Sequence, residues 1–108
     1  LNSLQNDLIS VIESKLAHVS CSQLPDEIDP FLNELKRRIA EYLQPMFKSN
    51  LDKLFQILYR IDVHDSHIKA ALKLDRDIQS ATLIAQAIIE RQIAKIKSQQ
   101  EYKSQGLY

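Results

Sequence analysis

Apolar residues recur along this chain at helical intervals. Leu4, Leu8, Val11, Ile12, Leu16 and Val19 are three or four apart, the spacing that lays one apolar stripe along a helix. Ser3 stands before them as a predicted N-cap, because its hydroxyl can accept an orphan backbone N–H. The stretch SCSQLPDEIDP then breaks the pattern with Ser, Pro and Asp, which predicts a connector. Residues 1–24 are thus expected to form a first helix and connector able to move as a unit.

Asp29 followed by Pro30 predicts the next helix start, with proline at the first helical position, where its missing N–H costs nothing. Ile28, Leu32, Leu35, Ile39, Tyr42 and Met46 follow at alternating steps of four and three. That seam is coiled-coil-like, but it is short and runs into Pro45. It predicts a bundle helix facing its core, and it is also the expected interaction seam. Near Ser49, SNLD offers a capping pair, with Asp52 in place of the usual Glu. Leu51, Leu54, Phe55, Leu58 and Ile61 share one face of the helix that follows, and Ile57 lies nearly opposite. A short helix apolar on most sides is expected in the middle of a bundle. DVHD ends it, and Ile68, Ala71 and Leu72 mark a short fourth helix.

The longest predicted helix runs from Asp77 to about Lys103. Ile78, Ala81, Ile84, Ala85, Ile88, Ile89, Ile93 and Ile96 sweep about half its circumference at ~100° per residue, enough to meet two neighbours. Beyond Ile96, KSQQEYKSQGLY loses the stripe, so residues 97–108 are expected to project and then fray. The predicted fold is all-α: one domain over residues 1–108, a compact bundle of four to five helices with a long C-terminal helix.

Composition narrows the function. One Gly among 108 residues argues against sandwiches, barrels and α/β folds, which need glycine at tight turns and where backbone approaches a ligand. It also rules out a Gly-rich phosphate loop, a dinucleotide fingerprint and a Gly-flanked nucleophile elbow. Fourteen basic residues balance fourteen acidic ones, whereas a dedicated nucleic-acid binder usually carries a basic excess. The single cysteine, Cys21, excludes an internal disulfide and a Cys-rich zinc site. No apolar stretch reaches the ~18 residues of a membrane span, and no basic-then-apolar signal pattern opens the chain. A cytoplasmic protein is expected. The start at Leu1 rather than methionine is what a fragment or a trimmed chain would show.

Two segments, LFQILYRIDV and IIERQIAKIKSQQEYK, together resemble a family of small uncharacterised bacterial all-helical proteins. In that family an LYRIDV-like stretch is followed, after a short helix, by an IIER-like helix. The resemblance covers residues 51 to 103. It implies a helical fold and supplies no activity, cofactor or catalytic residue.

The sharpest candidate chemistry is the cluster Asp62, His64, Asp65 and His67, since imidazole and carboxylate ligate zinc, nickel or iron, and two histidines three apart can share a helical face. The competing explanation is a capped junction between helices, in which the aspartates satisfy orphan N–H groups. His18 is isolated in sequence. Arg60 and Glu90 lie within the apolar runs ILYRI and AIIER, so Arg60 is expected to pair with Glu90 or Asp62 and lock the third helix to the last. Cys21 has no basic cluster in its neighbourhood of the sequence to activate it as a nucleophile. Lys36, Arg37 and Arg38 read as a solvated helix face. Arg91, Lys95, Lys97 and Lys103 give the last helix a modest positive excess that could touch RNA or an acidic surface.

Together these features predict a non-catalytic interaction or assembly module that needs no cofactor and binds a protein partner or itself, most simply as a homodimer. The alternatives are a metal-binding protein using the His64 and His67 cluster, and a weak nucleic-acid binder using the basic last helix.

Overall fold

A computed structural model describes the backbone of residues 1–104 and the side chains of residues 1–102. The elements are α1 (Ser3–Lys15), α2 (Ile28–Leu43), α3 (Met46–Ser49, a single turn), α4 (Leu51–Arg60), α5 (Ser66–Ala71) and α6 (Asp77–Ser104). No strand occurs among the described residues. The predicted all-helical bundle is what forms: five helices, plus one turn that the spacing did not reveal. No helix among the described residues is long and apolar enough to cross a membrane.

Helix α6 organises the rest. Its 28 residues span about 42 Å at 1.5 Å per residue, and α1, α2 and α5 all pack against it. Ala81, Ile84, Ala85, Ile88, Ile89 and Ile96 are buried along it, so the broad apolar stripe meets three neighbours rather than two. Beyond Ile96, residues 97 to 102 are exposed while the helix continues. The expected fraying of this tail falls on residues outside the described part.

Local chemistry moves several helix starts from their predicted places. Asn2, not Ser3, caps α1: its Oδ1 accepts the Gln5 N–H at 2.8 Å, and Gln5 Oε1 accepts the Asn2 N–H at 2.8 Å. This reciprocal box satisfies two orphan donors at once, which a Ser3 cap would not. The helix ends at Lys15, short of Leu16 and Val19, yet both are buried. The connector's bend keeps them on the core side. Leu8, Ile12, Leu16 and Val19 belong to the same core as α6, and Arg38 Nη1 donates to the carbonyls of Ser20 and Ser22 at 3.1 and 2.7 Å. First helix and connector both make contacts with the rest of the bundle.

The N-cap of α2 is Glu27 rather than Asp29, and Pro30 lies at the third helical position rather than the first. It is still within the first turn, where no intrahelical N–H bond is lost. The buried line on α2 is Phe31, Leu35, Ile39 and Leu43 at steps of four, with Ala40 beside it. The predicted seam is rotated from this line. Leu35, Ile39 and Met46 are buried in the chain's own core, Leu32 and Tyr42 are half-buried, and Ile28 is 40% exposed.

Asn50 caps α4, its side chain accepting the Lys53 N–H at 3.2 Å. Ser49 is instead the last residue of α3, where its hydroxyl donates back to the Pro45 carbonyl at 2.8 Å. Helix α4 also lies on the flank of the bundle, not in its middle. Leu54, Ile57 and Leu58 face inward, while Asp52, Lys53, Gln56, Tyr59 and Arg60 are exposed. Four polar residues with Tyr59 on the outer face outweigh the apolar ones that suggested full burial.

Candidate functional site

The end of α4 is a Schellman motif. Val63 N–H donates to the Leu58 carbonyl at 2.9 Å and Asp62 N–H to the Tyr59 carbonyl at 3.2 Å, so orphan carbonyls of the last turn are satisfied. Val63 and Leu58 are both buried, the apolar contact that accompanies this motif. The left-handed position, usually glycine, is Asp62 at φ 64°. Aspartate tolerates that region better than most residues because its short side chain bonds locally.

One turn of α6 receives this corner. Arg91 Nη2 donates to Asp62 Oδ2 at 2.7 Å and Arg91 Nε to the Asp62 carbonyl at 3.2 Å. Lys95 Nζ lies 3.5 Å from the same Oδ2. Gln92, buried, donates from Nε2 to the Ile61 carbonyl at 2.7 Å. The hydrogen bond from Arg91, then the nearby charges of Arg91 and Lys95, holds the Asp62 carboxyl below the usual carboxylate range. The end of α4 is tied to α6 through Asp62, but by Arg91: Arg60 does not pair with Asp62, and Arg60 and Glu90 do not pair either. Both are exposed, and Glu90 Oε1 accepts from Gln86 Nε2 at 2.8 Å within its own helix. Arg91, one residue on from Glu90, is turned about 100° around the helix toward Asp62.

The four-residue cluster does not assemble as a metal site. The Asp62 carboxylate is engaged by two cations. His64 Nδ1 accepts the Ser66 N–H at 3.0 Å, which caps the start of α5 and leaves the ring's proton on Nε2. The 3.4 Å approach of that same Nδ1 to Asp65 Oδ1 is then not an ion pair, because neither atom carries a proton. His67 is exposed. Among the described residues, no group of three or more His, Cys, Asp or Glu is placed to hold a metal ion.

The same corner borders an open groove of about 1340 Å³ between α4, the turn after it and α6. Phe55, Leu58, Val63 and Ala87 give it an apolar floor; Tyr59, Arg60, Asp65, His67 and Arg91 stand around it. Tyr59 is 89% exposed, an aromatic ring with almost no cover.

Several of the remaining candidates are engaged in ion pairs. Burial, then the charge of Glu13, raises the Cys21 pKa against an opposing effect of Arg38, so the thiol is poorly suited to nucleophilic attack. Arg37 pairs with Glu34 and Glu41, and Arg38 with Glu34 at 3.1 Å. In the basic last helix, Arg91 and Lys95 are turned to Asp62, Lys97 is exposed, and the side chain of Lys103 lies outside the described part.

The residues that sequence reasoning passed over are Gln5, Ser80 and Gln92. Each is a buried polar side chain donating to a carbonyl of another segment: Asp26 at 2.8 Å, Ala71 at 2.7 Å and Ile61 at 2.7 Å. Gln92 and Ser80 left a readable signal, a polar residue on a helical apolar stripe. Comparison with protein-family models, curated proteins and solved structures gives no match.

Proposed function

We propose that this chain is a non-catalytic interaction module, and that the groove between α4 and α6 receives the apolar face of a helix from a partner protein. The observation that carries this reading is the open groove with Tyr59 bare at its edge. At about 1340 Å³ the concavity exceeds the ~300–1,000 Å³ of typical small-molecule pockets. Its apolar floor and polar surround match the helix-in-groove mode, and tyrosine is a residue type that anchors interfaces. The rim carries both Arg60 and Asp65, which favours a mixed-charge protein surface over a nucleic-acid backbone. Asp62 and His64 are committed to the fold, which weighs against a catalytic or metal role for this corner.

A second copy of the chain is the first partner to test, because an isologous pair needs no other protein. Purified protein is run in sedimentation velocity over a wide concentration range, and tagged protein is used for capture from native cell extract with mass spectrometry. Tyr59→Glu removes the exposed anchor without touching the core, and Asp7→Lys is the control on the exposed face of α1. A dimer, or a stoichiometric partner, that persists in Asp7→Lys and disappears in Tyr59→Glu is expected. A monomer without partner, or association indifferent to Tyr59→Glu, overturns the reading.

A further inference from the structure

A second, smaller cleft of about 200 Å³ opens where the end of α1 meets α4 and Tyr42 of α2. Lys15, His18, Lys53 and Arg60 line it, and no Asp or Glu does. This is unusual for a chain with zero net charge. Arg37, Arg38, Lys48, Arg91 and Lys95 each have a carboxylate partner. Lys15, Lys53 and Arg60 have none among the described residues, and neither do Lys36, Lys69, Lys73, Arg76 and Lys97; what sets the three apart is that they line one opening. Like charges facing one opening repel, and an anion between them relieves that repulsion.

Helix dipoles account for part of this arrangement only. Lys15 and Arg60 lie in the last turns of α1 and α4, where a cation complements exposed carbonyls. Lys53 lies in the first turn of α4, where the dipole disfavours it. Lys53, exposed and next to Asp52 in that turn, lines the cleft beside two further cations. The His18 ring packs against Tyr42, with centroids 5.9 Å apart, so it too is held at this opening.

We propose that the cleft between α1 and α4 is a binding site for a single phosphate group. Arg60 offers the planar fork that matches two phosphate oxygens, and Lys15 and Lys53 act as point charges. Ser14, Tyr42 and Gln56, which also line the cleft, supply neutral hydrogen-bonding groups. Phosphate has five heavy atoms and takes roughly the room of two or three waters at ~30 Å³ each. A cleft of about 200 Å³ holds it with some hydration and is too small to enclose a whole nucleotide. The site does not depend on the α4–α6 groove, although Gln56 and Arg60 border both.

The test is an NMR titration of the whole chain with inorganic phosphate, using chloride at matched ionic strength as reference. Saturable shifts are expected at Ser14 to His18, Tyr42 and Lys53 to Arg60, with the His18 ring as reporter. Arg60→Gln and Lys53→Gln, both at exposed positions, should each weaken the apparent affinity about tenfold, while Lys97→Gln on the far part of α6 leaves it unchanged. Shifts that fail to saturate, or that chloride reproduces, overturn the assignment. So does saturable binding indifferent to both Arg60→Gln and Lys53→Gln.

Discussion

Gln92 on α6 reaches across 31 positions of sequence to the carbonyl of Ile61, donating its amide at 2.7 Å from a buried position. The carbonyl belongs to the C-cap residue just past α4, where no N–H of that helix remains to satisfy it. The contact therefore fixes where α4 stops as well as what it packs against.

Replacing Gln92 with leucine keeps the side chain's approximate size and removes the donor. The Ile61 carbonyl is then buried and unpaired, which costs about 1–3 kcal/mol. Urea unfolding of Gln92→Leu is expected to show a lowered midpoint by that amount, with an unchanged slope. A midpoint equal to wild type would mean that water or another donor reaches the carbonyl.

Asp62 combines a left-handed backbone with a carboxylate held by Arg91 and Lys95. Substitutions separate the two roles. Asp62→Asn retains a side chain that tolerates the left-handed region, and Asp62→Gly removes the Cβ penalty altogether. Asp62→Ala loses the ion pair and keeps the penalty. In thermal unfolding at neutral pH, Asp62→Ala is expected to be the least stable of the three. If Asp62→Gly unfolds at the same temperature as Asp62→Ala, the backbone conformation contributes nothing measurable.

Much of this arrangement could be read from the residue pattern, and the limit has a physical cause. Helical periodicity reports which face is apolar, so a bundle of four to five helices with a long last one followed from the spacing of leucine, isoleucine and alanine. It does not report the angle at which two helices cross. Phe31 and Leu43 lie on the buried line of α2, one position from the expected Leu32 and Tyr42, which are half-buried. Asp62–Arg91 took the place expected for Arg60–Glu90: a shift of one residue turns a side chain about 100° around a helix. No glycine marks the end of α4, where Asp62 occupies the left-handed position.

Acid should act on two carboxylates in particular. Hydrogen bonds from Arg37 and then Arg38 lower the Glu34 pKa to about 2, and Asp62 is lowered by Arg91 and Lys95. Both folded-state values lie below those of the unfolded chain, so each group's contribution is full above the usual carboxylate range. It is lost as pH falls through that range toward the folded value. Stability is thus expected to decline below about pH 4, and Glu34→Gln should flatten that decline while lowering stability at neutral pH. Asp62 is exposed and Glu34 half-buried at the surface, so high salt should shrink the effect, more for Asp62 than for Glu34. A Glu34→Gln variant whose acid profile overlays wild type would remove Glu34 from this account.

The face of α2 gives the last comparison. Phe31 is fully buried and Ile28, three residues earlier, is 40% exposed. Phe31→Ala opens a cavity under α6 and is expected to cost about 3–5 kcal/mol. Ile28→Ala removes a side chain that already meets water and should cost no more than about 1 kcal/mol. Ile39→Asp puts a charge at a position with no exposure, a penalty comparable to the ~5–15 kcal/mol that holds a typical domain together. It should abolish folding outright, visible as loss of the helical circular-dichroism signal, rather than yield a folded monomer. A folded Ile39→Asp protein, or an Ile28→Ala loss as large as that of Phe31→Ala, would put the predicted seam rather than the Phe31–Leu43 line against α6.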